Sequence, residues 1–334
     1  MDERQSKRLR VDEAQPDGRS GVTSFLQSWA WKREHRPDRD RFQRPYVHPL
    51  RLPDGAEVKL TLEQARFRSG AEGFASTVWD SSIVVAKLLE RATAAAVATA
   101  AAASAVAAEG ATAADASGDG DGAGGGDSTL GGDGAGGAGS AAADCSVLGR
   151  GVMDLSAGCG LVAAVAGRLG AARVVATDLP PNLPLLDRNC QRNAGSRAQL
   201  EVLPYSWGDD AAPLLRGGPL DLVVACDVMY VEEAVGPLVS SLAALCGGSY
   251  DHDGDGDGAS SASGDIAGAT LSVGPGRGSG DDDGGGDGVG CSFHPTLVLL
   301  AHGRNRFAEA AFWRHARAAG FDAERVPDCQ LDPG

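Results

Sequence analysis

The chain predicts an α/β fold built on a doubly wound, mostly parallel sheet, and three observations carry that expectation. Strand-like and helix-like segments alternate from residue 152 to residue 326. The apolar run Val152–Leu155 leads straight into a turn of small residues, Ser156-Ala157-Gly158-Cys159-Gly160. The next apolar run, Arg173–Thr177, ends on an acid, Asp178, 20 residues beyond Gly158. Strand, glycine turn, helix, strand and carboxylate, in that order, form the grip of an α/β sheet on an adenosine-containing ligand.

The elements follow in chain order. His48–Leu62 alternates around Pro53-Asp54-Gly55 and predicts a hairpin. Val78–Leu89 carries a helical apolar stripe. Val152–Leu155 predicts a strand, Leu161–Leu169 a small-residue helix stopped by Gly170, and Val174–Thr177 a second strand. Leu183–Asn193 predicts a helix, Leu200–Tyr205 a strand, and Leu220–Cys226 a buried parallel strand. Glu232–Cys246 predicts a helix, Thr296–Ala301 a strand, Ala308–Ala319 a helix, and Phe321–Val326 a last short strand.

Composition sets the limits of this domain. Residues 91–144 are almost wholly Ala, Gly, Ser, Thr and Asp, and residues 248–290 mostly Gly, Ser, Ala and Asp. Neither stretch has the apolar surface to offset ordering entropy, so both read as disordered inserts, with at most a fluctuating helix along Ala94–Ala108. Residues 1–45 form a charged tail, 46–90 an N-terminal hairpin and helix, 145–327 the interrupted core, and 328–334 a second tail. The net charge of −15 belongs to the inserts. Residues 92–144 hold seven acids and no Lys or Arg, residues 249–290 hold nine acids against Arg277, and the remainder is neutral.

No long basic run appears, which argues against nucleic acid as a partner. Lys7-Arg8-Leu9-Arg10 reads as a solvated tail more readily than as a nuclear signal. The alanine run lacks the large side chains of a membrane span. Seven scattered cysteines without a C-x-x-C pair, and no signal peptide, predict reduced thiols and no zinc. A cytoplasmic monomer is the expectation, with the nucleus as a second compartment. Asp251–Gly258 resembles a calcium loop, but the twelfth position falls on Gly264 or Ala262 where glutamate is needed, so no metal is expected.

The turn needs residues without bulk. Gly158 and Gly160 let the backbone approach a ligand and let the following helix pack on the strand. Asp178 alone does not separate a nicotinamide cofactor from S-adenosylmethionine. Three features favour the latter: Asp154 inside the first strand, the A-G-x-G spacing, and Cys226-Asp227-Val228-Met229-Tyr230 at the end of the fourth strand. On residues alone, Trp79 and Trp207 remain open as plain core aromatics, Asp227 as a helix cap and Tyr230 as surface packing.

The chain resembles the methyltransferase-like 21 group (methyltransferase family 16) of seven-strand protein lysine methyltransferases. The likeness runs through Ser76–Glu90, Asp154–Gly160, Thr177–Pro180, Tyr205-Ser206-Trp207-Gly208 and Asp227–Glu233. It implies a Rossmann-like class I methyltransferase fold, S-adenosylmethionine as cofactor and a protein lysine as substrate, on a chaperone, an elongation factor or an ATPase. By position it implies Trp79 bordering the cofactor, Ser156, Ala157 and Gly158 cradling its methionine part, and Asp178 holding the ribose. Trp207 is implied against the adenine, Cys226 as nearby backbone, and Asp227 with Tyr230 as the motif facing the substrate amine. Asp154 orients the turn. A methyltransferase for another nucleophile (a protein histidine, an N-terminus or a small molecule) and an inactive cofactor-binding module are the competing expectations.

Two departures from the family pattern stand out. Ser156 occupies a position where glycine is usual, which a serine fits most easily at negative φ. No further strand follows Phe321–Val326, so the sheet is expected to lack its last member.

Overall fold

The structure, a computed structural model, describes residues 44–65, 75–115, 145–193, 195, 199–248, 268–273, 296–303, 307–327 and 331. Most of the charged tail, residues 116–144, the calcium-like stretch and most of the second insert lie outside the described residues.

Strands β1 (Tyr46–Arg51) and β2 (Glu57–Leu62) pair antiparallel as a separate two-stranded sheet. Their turn closes through Gly55, at φ 86°, and through the Asp54 carboxylate, which accepts the Ala56 amide at 2.9 Å. Helix α1 (Asp80–Asp115) follows. In the main body, β3 is Gly151–Leu155, α2 Leu161–Arg168, β4 Arg173–Asp178, α3 Leu183–Asn193, β5 Gln199–Pro204 and α4 Ala212–Leu215. Strand β6 (Leu222–Cys226) leads to α5 (Val235–Leu245). Strands β7 (Gly268–Val273) and β8 (Leu297–Ala301), helix α6 (Glu309–Ala318) and strand β9 (Phe321–Arg325) complete it.

The sheet has seven strands in the order β5-β4-β3-β6-β8-β7-β9. The first five are parallel neighbours, and β7 runs antiparallel between β8 and β9. Alternate residues of the buried strands feed two apolar layers. Val152, Val174, Leu222 and Leu299 face the hairpin, α1, α2 and α3. Met153, Val175, Val223 and Val298 face α5 and α6. The strand order reverses between β3 and β6, and an open α/β sheet splays there into a ligand crevice at its carboxyl edge.

Two expectations are corrected. The N-terminal helix does not stop near Glu90 but continues to Asp115, so residues 91–115 are helix rather than disordered insert. Packing of Val85, Ala86, Leu88, Leu89 and Ala92 supplies the nucleus, and alanine, the best helix former, propagates it although residues 98–108 are exposed. The sheet also does not lack a seventh strand. That strand comes from within the Gly/Asp insert, where Ala269-Thr270-Leu271-Ser272-Val273 offers β-compatible residues. It pairs at five positions with each neighbour and is the element joining β9 to the sheet. No helix among the described residues is long and apolar enough to cross a membrane.

The hairpin is fastened to the body by two asparagines one turn apart on α3. Asn189 accepts the Glu63 amide at 2.8 Å and donates to the Glu63 and Cys159 carbonyls, both at 3.0 Å. Asn193 accepts the Thr61 amide at 2.8 Å and donates to the Thr61 carbonyl at 3.0 Å. Asn193 thus pairs with β2, and Asn189 with the residue just after it, as a neighbouring strand would, and both are buried. Asn189→Leu removes the acceptor of the Glu63 amide and the donor to the Glu63 and Cys159 carbonyls. It is expected to lower stability by about 2–4 kcal/mol, read from the urea midpoint; an unchanged midpoint means the hairpin is held by packing alone.

Candidate active site

The turn after β3 combines three residues in the left-handed region: Ser156 at φ 63°, Gly158 at 56° and Gly160 at 79°. Ala157 donates to the Thr177 carbonyl at 2.8 Å, which ties the turn to the end of β4. Position 158 favours glycine on two grounds: its φ, and the Ala75 carbonyl, which a Cβ would meet at a tight 3.2 Å. A Cβ on Gly160 would lie 2.7 Å from a Leu186 methyl and 3.1 Å from the Cys190 sulfur. Gly160 therefore serves the packing of α2 against α3. It does not line the cavity described below.

Asp154 is 2% exposed, and its carboxylate accepts the Ala163 amide at 2.9 Å. It satisfies the first turn of α2 from the neighbouring strand, a site that favours negative charge. Burial nevertheless pushes its carboxyl up to about 7; the Ala163 bond opposes this, and the charge of Asp178 adds to it. Asp178 holds the other side of the turn. Its Oδ2 accepts the Gly158 amide at 2.8 Å, while Oδ1 accepts the Leu179 amide at 2.8 Å and the Asn182 side-chain amide at 2.6 Å. Burial raises its pKa, against the pull of these three donors.

Asp227 follows β6 in a left-handed conformation, φ 55°, which aspartate tolerates better than most residues. Its amide donates to the Ala301 carbonyl at 2.7 Å. One carboxylate oxygen accepts the Ser81 hydroxyl, and the other accepts the Gly303 amide at 2.7 Å. Burial raises the Asp227 pKa; the Ser81 and Gly303 bonds and the nearby His302 oppose this, and Asp80 adds to it. Tyr230 is pushed up to about 12, by burial first and then by the charge of Asp178. Burial likewise drives the Cys226 thiol well above its ordinary value, so it stays protonated. The Trp207 indole nitrogen donates to the Ser156 hydroxyl at 2.9 Å.

These groups surround one cavity of about 430 Å³ at the carboxyl edge of β3, β4 and β6. Trp79, Asp154, Ser156, Ala157, Gly158, Asp178, Trp207, Cys226, Asp227 and Tyr230 all line it. Of the residues expected at the site, only Gly160 stands apart. Asn182 and Ser81 were not anticipated. Asn182 lies four residues after Asp178, a spacing that a single turn brings back onto the carboxylate. Ser81 reaches Asp227 across 146 positions of sequence, so no local pattern announces it.

The lining suits S-adenosylmethionine. The bare Gly158 edge admits close approach, Asp178 Oδ2 carries a single protein donor and keeps acceptor capacity for a hydroxyl, and the flat Trp207 ring suits a purine face. Buried carboxylates beside the cavity suit a cationic ligand.

A family model described as lysine methyltransferase matches residues 56–251, more than half of the chain. Protein N-lysine methyltransferase METTL21A of Danio rerio is 36% identical over 102 residues, which is 30% of this chain and 46% of that protein. EEF1A lysine methyltransferase 3 of Mus musculus is 34% identical over 99 residues, 30% of this chain and 41% of that protein. The chain thus spans less than half the length of each of these relatives. Among solved structures, the magnesium protoporphyrin IX methyltransferase of Synechocystis, with bound SAH, matches 31% of this chain and 45% of its own. That match has 23% identity and a TM-score of 0.26. The glycine turn, the acid closing β4 and the acid and phenol after β6 all fall inside residues 56–251, and over that span the chain belongs to the lysine methyltransferase family.

Proposed function

We propose that the chain is an S-adenosylmethionine-dependent N-methyltransferase acting on a lysine side chain of a folded protein. The observation that carries this is the shared cavity: Asp227 and Tyr230 line the same space as Gly158, Asp178 and Trp207. A ligand gripped by the turn therefore meets an amine held at Asp227. When bound, S-adenosylmethionine supplies a methyl group activated by its sulfonium. The residues of the chain position and desolvate. Asp178 and Trp207 hold the adenosine end, and Asp227 takes the incoming amine by a charge-assisted hydrogen bond. The partly buried Tyr230 ring lines the approach and offers a face to a cation. Methyl transfer requires the neutral amine, and Asp227 with its raised pKa can take up the proton that the ammonium gives up.

One relative supports a second nucleophile. A 30% identical protein of Emericella nidulans is named protein N-terminal and lysine N-methyltransferase efm7. The name of the mouse relative supports EEF1A as the first protein to try. Incubation with labelled S-adenosylmethionine and a hypomethylated lysate, followed by mass spectrometry, is expected to place the label on a lysine ε-nitrogen. Label on an N-terminal amine would favour the second reading, and label on a histidine or on nothing would overturn the first.

A further inference from the structure

The loop Tyr205–Asp209, after β5, carries Trp207 and is fastened at both ends. On its outer side Ser241, buried on α5, accepts the Gly208 amide at 2.8 Å, and its Oγ lies 2.9 Å from the Tyr205 hydroxyl. The Ser241 hydroxyl itself donates to the Pro237 carbonyl at 3.0 Å, and the single Tyr205 hydroxyl proton has the Asp209 carbonyl, at 3.0 Å, as its other acceptor. Gly208, at φ 89°, rests on Pro237, where a Cβ would come within 3.2 Å of the proline ring. On the inner side the Trp207 indole nitrogen reaches the Ser156 hydroxyl at 2.9 Å.

Ser156 holds φ 63° where a glycine would carry no strain. Among the described residues only Asp227 is another non-glycine at positive φ. A strained residue persists where its surroundings over-determine it, and the contact seen at Ser156 is the indole. We propose that Ser156 and Ser241 are positioning residues that lock Trp207 in place in the ligand-free protein. The Trp207 wall of the cavity is then preformed, and the ring meets a ligand with its face because its N–H is engaged with Ser156. The latch itself is independent of the methyltransferase reading; only the nature of what the wall receives rests on that reading.

The test uses the full chain, ¹⁵N-labelled, with the Trp207 indole resonance identified by its loss in Trp207→Phe. In the ligand-free parent this proton is expected to exchange slowly. In Ser156→Gly it is expected to shift and to exchange about threefold to tenfold faster, as loss of one hydrogen bond gives. Ser241→Ala is expected to move it in the same direction. Ser156→Gly removes strain, so its melting temperature is expected to equal or exceed the parent's, which separates a lost latch from a damaged fold. Its KM for S-adenosylmethionine is expected to rise more than its kcat falls, and in the Trp207→Phe background Ser156→Gly is expected to add nothing. An indole resonance unmoved by both serine variants, or additive effects of Ser156→Gly and Trp207→Phe on ligand affinity, overturns the proposal. A parent with a slow-exchanging indole but no affinity for S-adenosylmethionine would instead overturn the functional reading and leave the latch standing.

Discussion

Asp227→Asn is expected to lower methyl transfer by about 10²- to 10³-fold while leaving the fold as stable as the parent or more so. The two halves of this expectation come from different atoms. Asparagine tolerates the left-handed φ of 55° that the residue holds, and its side-chain oxygen can still accept the Gly303 amide. Alanine would lose that acceptor and strain the backbone, so asparagine is the cleaner substitution. What asparagine removes is the charge, the feature that attracts an ammonium and receives its proton.

Stability moves the other way. Burial raises the Asp227 pKa in the folded protein, so ionisation is harder there than in the unfolded chain. Near pH 8 the ionised carboxylate therefore lowers stability, and a neutral isostere relieves that cost. Single-turnover transfer of labelled methyl, alongside the thermal midpoint at pH 8, reads both effects. Parental transfer by Asp227→Asn removes Asp227 from the reaction. A large fall in midpoint would mean that its charge serves the Ser81 and Gly303 contacts rather than a substrate.

How much of this was legible in the chain differs by element. The buried strands could be read from their apolar runs, and the residues that close or follow β3, β4 and β6 are also the cavity-lining positions. Helix α1 runs past its predicted end because alanine, though poor at packing, is good at propagating a helix already nucleated. Strand β7 was hidden by its neighbours: five suitable residues inside a Gly/Asp-rich stretch carry little weight until β8 and β9 offer edges on both sides. At the site, the residues next to the turn and the strand ends were anticipated, whereas the contacts that orient them were not. Ser81 to Asp227 and Ser241 to the Trp207 loop join positions far apart in sequence, and a lone serine carries no pattern. Ser156 was expected to fit best at negative φ. It instead takes the glycine conformation, with a bond to Trp207 at 2.9 Å.

Asp154 should make both stability and ligand affinity depend on pH near neutrality. Its carboxyl sits at about 7 in the folded protein, mainly through burial, against an ordinary value of about 3.9 in an unfolded chain. Because the folded value is the higher one, the contribution of this group to stability is most favourable below about pH 4. It falls as the pH rises toward about 7 and is flat above that. The fall amounts to at most about 4 kcal/mol. Asp154→Asn keeps an oxygen for the Ala163 amide and removes the titration, so the difference between the parent and variant stability curves isolates Asp154 from Asp178 and Asp227, whose raised values act in the same sense. A cationic ligand in the cavity favours the ionised form, so binding should release a proton from Asp154 below about pH 7. S-adenosylmethionine affinity is then expected to rise by up to about tenfold between pH 6 and pH 8 in the parent and by clearly less in Asp154→Asn. Calorimetry in two buffers of different ionisation enthalpy counts the released proton directly. Equal affinities at pH 6 and pH 8 in the parent would show that Asp154 does not sense the charge of the ligand and acts only on the first turn of α2.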